Sequence, residues 1–408
     1  MLLPHVTARV ATIKAATIGV ALCVFLAAPV VSFAQGTGTT TGTGTATGTG
    51  QGTGPGTMPG HDTAQQPAAP DEYPRLKITG FADLTFNTTK YVDGPRGFNE
   101  GQFVLHMASA LSPRVTFFGE LSFTPRSDAG TGSPPATGFN AEVERMILRL
   151  DHSDRLKVSV GRYHTPISWW NTYFHHGSWL QTSISRPEMV QFGTRLMPIH
   201  FVGALAEGTV PAGGMNLTYQ GGVGNGRSSV ISRAGDPGDS NGTRAYLINA
   251  FLKPDAAYGL QAGGAYYRDL ITLAAPDGRD FKERIYSGYA VWNKEDPEII
   301  AEFSAIRHEQ DIGGPVTWTY AYYFQAGYRL PQFNRLWKPY YRYEHIGVNP
   351  LDAVYLVNPV NNLQEGNTLG VRYDMSAFAA LKVEYRNYLR VEGQPRNYGG
   401  FLQVCFTF

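Results

Sequence analysis

The sequence predicts an all-β chain: a transmembrane antiparallel up-and-down β-barrel of about sixteen strands, with an inward-folded third loop. Three observations predict it. Apolar and polar residues alternate with period two from Arg75 onward, the connections alternate between short turns and long loops, and the chain ends on a strand with one bare apolar face. A strand places successive side chains on opposite faces, and one that crosses a bilayer needs about 9–11 residues.

The alternation recurs segment after segment. Leu76, Ile78, Ala82, Leu84 and Phe86 share one face, and Lys77, Thr79, Asp83 and Thr85 share the other. Val115, Phe117, Leu121 and Phe123 oppose Arg114, Thr116, Glu120 and Ser122. Trp318, Tyr320, Tyr322, Phe324, Ala326, Tyr328 and Leu330 form one long outer face. Leu381, Val383, Tyr385, Leu389 and Val391 oppose Lys382, Glu384, Arg386, Tyr388 and Arg390. Short connections fall near 111–113, 152–155, 211–214, 254–259, 295–297, 331–335 and 375–378, with turn residues such as Pro211-Ala212-Gly213-Gly214 and Asp296-Pro297. Long ones fall near 87–98, 125–138, 164–197, 225–242, 270–280, 308–316, 346–363 and 392–397. Seven short and eight long connections imply sixteen strands, and an even count puts both ends on the side of the short turns. A soluble sandwich has no reason to sort its connections by length.

In the last strand Phe408, Phe406, Val404 and Leu402 share one face, and Thr407, Cys405, Gln403 and Phe401 the other. Exposed to water, such a face is an aggregation hazard. The strand resembles the closing strand of a Gram-negative outer-membrane β-barrel, where the terminal aromatics, here Phe408 and Phe406, belong to the signal read by the barrel assembly machinery. Val160-Gly161-Arg162-Tyr163-His164-Thr165-Pro166-Ile167 is similar to a strand end and loop start of the phosphate-selective (O/P-like) porin group, and Gly221-Gly222-Val223-Gly224-Asn225-Gly226-Arg227 resembles that group's strand-to-loop segment. Over residues 75–408 the chain therefore resembles a sixteen-stranded Gram-negative porin. The resemblance implies a homotrimer in outer-membrane lipid. It also implies a water-filled channel for passive diffusion of small hydrophilic solutes, anions such as phosphate among them, and a third loop that narrows the lumen.

The rest of the chain fits that address. Arg9 and Lys14 precede an apolar run, Ala15 to Val31, and Ser32-Phe33-Ala34 is a small-x-small cleavage site, so residues 1–34 are expected to be a removed signal peptide. Residues 35–74 are rich in Gly, Thr and Pro and are expected to form a disordered periplasmic leader. Charged residues are 16% of the chain, below the roughly 25% of soluble domains. Tyr (23), Phe (22) and Gly (47) are abundant, as suits strands with aromatic girdles. Without Arg9 and Lys14 the formal charge falls from +1 to near −1, which argues against nucleic-acid binding. With Cys23 lost in the signal, Cys405 has no intramolecular partner.

The third long connection is not loop-like in composition. It carries Trp169, Trp170, Tyr173, Phe174 and Trp179, joined by His164, His175, His176 and Arg186. Rings of this size need a surface to pack against. An inward fold supplies one, so this loop is the expected pore constriction; an outward aromatic rim or trimer contact is the alternative. Adjacent side chains on an extended chain point apart and no Asp or Glu neighbours His175-His176, so polar lining is expected there, with no metal and no cofactor.

Period two also sorts the charges. Arg145, Arg149, Lys338, Arg342, Arg372, Lys382, Arg386 and Arg390 are expected on the lumen wall, with Lys77, Arg114, Lys157 and Arg329. Against these twelve stand six acidic residues, Asp83, Glu120, Glu302, Glu344, Asp374 and Glu384, and the basic excess predicts mild anion preference. The competing account is local cross-strand pairing. No His-Glu-x-x-His motif occurs, and the Gly-x-Ser-x-Gly match at residues 238–242 falls in a long connection between strands and not on a strand-to-helix elbow, so no enzyme is expected. The strongest rival is a structural or adhesive barrel with a blocked lumen.

Overall fold

A computed structural model describes residues 73–88 and 96–408, apart from positions 127, 129, 134, 228, 230, 233, 234, 237 and 240. The expected signal peptide, and the leader save its last two residues, lie outside the described residues.

Sixteen strands close into one barrel. The first eight are β1 (Arg75–Asn87), β2 (Gly97–Ala110), β3 (Val115–Pro125), β4 (Phe139–Ser153), β5 (Leu156–His164), β6 (His200–Val210), β7 (Leu217–Asn225) and β8 (Arg244–Leu252). The rest are β9 (Leu260–Thr272), β10 (Asp280–Asn293), β11 (Glu298–Gln310), β12 (Val316–Gly327), β13 (Trp337–Gly347), β14 (Leu363–Asp374), β15 (Ala379–Leu389) and β16 (Asn397–Thr407). Every pairing is antiparallel between sequence neighbours, and β16 closes on β1 with Phe81 opposite Thr407 and Asn87 opposite Phe401. Gly80 N–H donates to Phe408 O at 2.8 Å, and Phe408 N–H donates to Gly80 O at 3.0 Å. Closure pairs the strand edges that an open sheet would expose.

The two faces separate as the period predicts. On β16 Leu402 (40%), Val404 (37%) and Phe406 (38%) are exposed, while Gln403 (3%) and Cys405 (0%) are buried. On β12 Tyr320, Tyr322 and Phe324 are exposed, while Thr319, Tyr323 and Gln325 are buried. Bare aromatic and aliphatic rows outside, with polar groups inside, are what a bilayer accepts from a barrel.

One register shift matters for the site. Glu120 pairs with Arg145 but Leu121 pairs with Val143, leaving Glu144 as an extra residue in β4. A bulge turns a side chain that strict alternation would send outward, and Glu144 is buried beside Arg145. On the other side of β4, Gly161 of β5 pairs with Ile147 and has φ +145, and a Cβ there would lie 1.9 Å from the Met146 carbonyl oxygen. Only glycine allows so close an approach.

Between β5 and β6 the chain forms a short helix, α1 (Trp169–Phe174), and two 3-10 turns, Ser178–Leu180 and Glu188–Val190. Ser168 caps α1 by accepting the Asn171 N–H at 3.2 Å. Trp170, Met189, Val190, Leu196 and Met197 of this segment share one buried apolar cluster with Tyr323, Ile346 and Tyr388 of the strands. A second helix, α2 (Ala353–Val357), sits in the connection from β13 to β14, capped by Asp352.

Candidate functional site

The segment from Thr165 to Ile199 has little regular structure, so most of its backbone groups need partners from elsewhere. Strand side chains supply them, sorted by charge. Carboxylates take the N–H groups. Glu302 of β11 accepts from Trp169 and Trp170 at 2.8 Å each. Glu384 of β15 accepts from Ile184 at 2.8 Å and Ser185 at 3.2 Å, and Glu344 of β13 accepts from Glu188 at 2.6 Å. Cations take the carbonyls. Arg372 of β14 donates to Trp179 O at 2.6 Å and Gln181 O at 2.7 Å. Lys382 of β15 donates to Ser178 O at 2.5 Å and Ser183 O at 3.1 Å, and Arg342 of β13 donates to Ser185 O at 2.9 Å and Arg186 O at 3.1 Å. Asp83 of β1 accepts the Ser178 hydroxyl at 2.9 Å, and Ser287 of β10 donates to Ile167 O at 2.6 Å.

The expected basic row therefore meets this segment, but its charges are engaged. Lys338 pairs with Glu298 at 2.8 Å and Glu295 at 2.9 Å. Arg342 pairs with Glu344 at 2.9 Å, Arg372 with Asp374 at 2.7 Å, Arg386 with Glu384 at 2.6 Å and Arg390 with Glu188 at 3.4 Å. Lys338, Arg342 and Lys382 are fully buried. Arg145 and Arg149 of β4 keep part of their surface. Arg145 pairs with Glu120 and lies over the Phe118 ring, and Arg149 pairs with Asp151 at 2.7 Å. The inward carboxylates also outnumber the six expected. Glu144, Asp269, Glu283 and Glu298 are buried as well. Burial and nearby Glu344 push the Glu188 carboxyl above its ordinary range, against the pull of Arg390.

The aromatic residues of the segment divide. Trp170 is wholly buried, edge-on to Phe174 and to Tyr323 of β12. Trp169, Tyr173, Phe174 and Trp179 line an open cavity of about 560 Å³ together with Glu298, Arg329 and Lys338. Arg372 lies 5.6 Å over the Trp179 ring. Arg186 does not reach this cavity. It is buried, donating to His175 O at 2.6 Å and Val190 O at 3.1 Å, with its guanidinium 3.8 Å over Phe192 and 3.1 Å from His175 Nδ1.

The three expected histidines come together, with partners the sequence reading did not supply. His164 ends β5, and its ring centroid is 3.8 Å from that of His175, which is 4.4 Å from His176. Around them stand Glu120 and Glu144, 3.0 Å and 3.5 Å from His176, with His200 2.9 Å from Glu144. The expectation that no carboxylate neighbours His175-His176 is thus overturned: the residues are distant in sequence, and the fold brings β3 and β4 to them. Turn geometry also removes the premise that adjacent histidines point apart, because His175 is the C-cap of α1 rather than extended chain. Burial first, then His164 and Arg186, pushes the His175 imidazole well below its ordinary range. One signal for Glu144 was present. The apolar row Val143, Met146, Leu148 steps by three once, as a bulge requires.

No protein-family model and no curated protein matches the sequence. Solved structures match its fold. OmpF of Salmonella typhi, in complex with daunomycin, superposes with a TM-score of 0.55 at 13% identity, over 82% of this chain and 97% of that one. The outer-membrane channel DcaP of Acinetobacter baumannii gives 0.53 at 11% identity, over 82% and 97%. The trimer form of OmpT, an outer-membrane protein of Vibrio cholerae, gives 0.52 at 14% identity, over 83% and 100%. At 11–14% identity these likenesses establish a shared architecture, the closed barrel of outer-membrane proteins.

Proposed function

We propose that this chain is a Gram-negative outer-membrane porin, a passive channel for small hydrophilic solutes with mild anion preference, and not an enzyme. The observation that carries the reading is the segment from Thr165 to Ile199. Side chains of β1, β10, β11, β13, β14 and β15 hold it, and Glu120 of β3 and Glu144 of β4 meet its histidines, which fits a constriction laid across the lumen. A barrel of sixteen strands is wide enough to leave an aqueous path beside such a segment. Arg149 of β4, 36% exposed, and Arg145 and Arg390, each 21% exposed, are among the inward cations that keep surface to act on a passing solute, and a low-dielectric wall focuses their field. Trp169 and Trp179 line the cavity beneath the segment, and Trp170 and Arg186 hold its shape. Homotrimer formation, delivery by the barrel assembly machinery and passage of phosphate belong to the same reading.

Single-channel conductance of the refolded protein in a planar bilayer tests it, with chloride, phosphate and organic acids, together with the reversal potential in a salt gradient. Discrete conductance with a modest anion-side reversal potential is expected. The rival, a structural or adhesive barrel with a blocked lumen, is favoured by the density of the interior, where Trp170 and Arg342 are 0% exposed. It predicts no conductance from a correctly folded barrel.

A further inference from the structure

We propose that Glu144, His164, His175 and His176 bind one divalent transition-metal cation of the zinc class, which pins the segment after β5 to the β4–β5 wall. The four come from three places: the bulge of β4, the last residue of β5, and the end of α1. One ligand atom from each lies within 4.8 Å of the other three, and all four residues are buried. Glu144 Oε2 is 3.8 Å from His175 Nε2, and Glu144 Oε1 is 3.5 Å from His176 Nε2. Both separations are long for hydrogen bonds. They approach the roughly 3.4 Å between two ligands held tetrahedrally at about 2.0–2.2 Å from one ion.

The second observation is what these atoms lack. Both ring nitrogens of His164, Nε2 of His175 and Oε2 of Glu144 are buried and without an aligned hydrogen bond. Glu144 Oε2 comes within 2.9 Å of His200 Nε2, but out of line. Among the described residues the Glu144 carboxylate meets imidazoles and the Ser122 hydroxyl, which donates to Oε1 at 2.7 Å, and it forms no ion pair with lysine or arginine. Arg145 is engaged by Glu120 instead, and Arg162 donates only to the Glu144 backbone carbonyl. Buried charges are paired or coordinate a metal.

The donor set names the class of ion. Three imidazoles and one carboxylate are zinc-type ligands, too rich in nitrogen for calcium or magnesium. An outer shell orients one of them. Asn171 Nδ2 donates to Ile199 O at 2.9 Å and Thr165 O at 3.3 Å, which turns its Oδ1 toward His175 Nδ1 at 2.8 Å. Nδ1 of His175 is thereby engaged, by Asn171 Oδ1 and by Arg186 Nη2 at 3.1 Å, and Nε2 is the ring nitrogen that faces Glu144, 3.8 Å away.

The test titrates the mature chain, without a polyhistidine tag, with Co²⁺ and then Zn²⁺. One equivalent of Co²⁺ should give the ligand-field absorption of a nitrogen–oxygen site, Zn²⁺ should bleach it, and either metal should raise the unfolding midpoint. His176→Ala should abolish that equivalent, and Asn171→Ala, which alters a positioning residue, should weaken it about 10–100-fold. No saturable absorption at one equivalent, or undiminished binding in a folded His176→Ala barrel, overturns the assignment. Should His176→Ala fail to fold, Asn171→Ala decides, and an unchanged Co²⁺ affinity there overturns it too.

Discussion

Arg342 donates to both the carbonyl oxygen of Ser185, at 2.9 Å, and its hydroxyl oxygen, at 2.5 Å, across 157 positions of sequence. The same guanidinium pairs with Glu344 and is shut off from solvent, Arg342 being 0% exposed. It joins the wall of the barrel to the middle of the segment between β5 and β6. Arg342→Ala removes that joint and leaves Glu344 buried without its cation. Breaking a buried pair from one side costs about 3–5 kcal/mol. The variant is expected to unfold at lower temperature, and its channel to show larger and noisier conductance than the parent, read by thermal denaturation and by single-channel recording. An unchanged conductance in a folded variant would mean that the segment does not narrow the path.

The row containing Arg342 shows what was legible and what was not. Period two put Arg342, Arg372 and Lys382 on the face opposite the exposed apolar rows, where all three are buried, because the face a side chain takes is a local property of a strand. Their partners are backbone carbonyls about 157 to 204 positions away, and no local pattern encodes those. The basic excess consequently looked open to solute when much of it secures a segment. The histidine cluster failed for a different reason. His164, His175 and His176 were legible as a group, but Glu144 is brought inward by a single inserted residue that shifts the alternation.

Trp179 separates shape from stability. Its ring lines the 560 Å³ cavity, whereas Trp170 is wholly buried against Phe174 and Tyr323. Trp179→Ala should enlarge the cavity and raise conductance with little change in unfolding temperature. Trp170→Ala should cost about 3–5 kcal/mol, as large aromatic truncations in a packed core do. Equal stability losses for the two would contradict the division of roles.

Phe408 and Gly80 close the barrel together. Beyond their paired backbone bonds, a Cβ on Gly80 would lie 2.2–2.8 Å from three atoms of the Phe408 ring. Gly80→Ala should therefore displace the ring and lower the yield of folded barrel on refolding. In a Phe408→Ala background the same substitution should cost little, since the clash is gone. A double-mutant cycle measures the coupling. In cells, Phe408→Ala should also reduce outer-membrane delivery by more than it reduces folding in detergent, because the terminal aromatic is proposed to be part of the assembly signal.

Charge selectivity should follow exposure rather than the count of inward cations. Arg149 pairs with Asp151 at 2.7 Å and lies 3.8 Å from Glu207, yet over a third of its side chain, 36%, remains open. Arg149→Gln removes a charge that a solute can meet, and leaves Asp151 and Glu207 facing the path. The reversal potential in a salt gradient should move toward cations, and the shift should shrink at high salt as screening shortens the reach of the field. Arg342→Gln removes the same formal charge from a site with no exposure, so its effect should fall on stability and conductance with a much smaller change in reversal potential. If the two substitutions move the reversal potential equally, selectivity is set by the summed charge of the wall, and the partly open arginines of β4 have no special part in it.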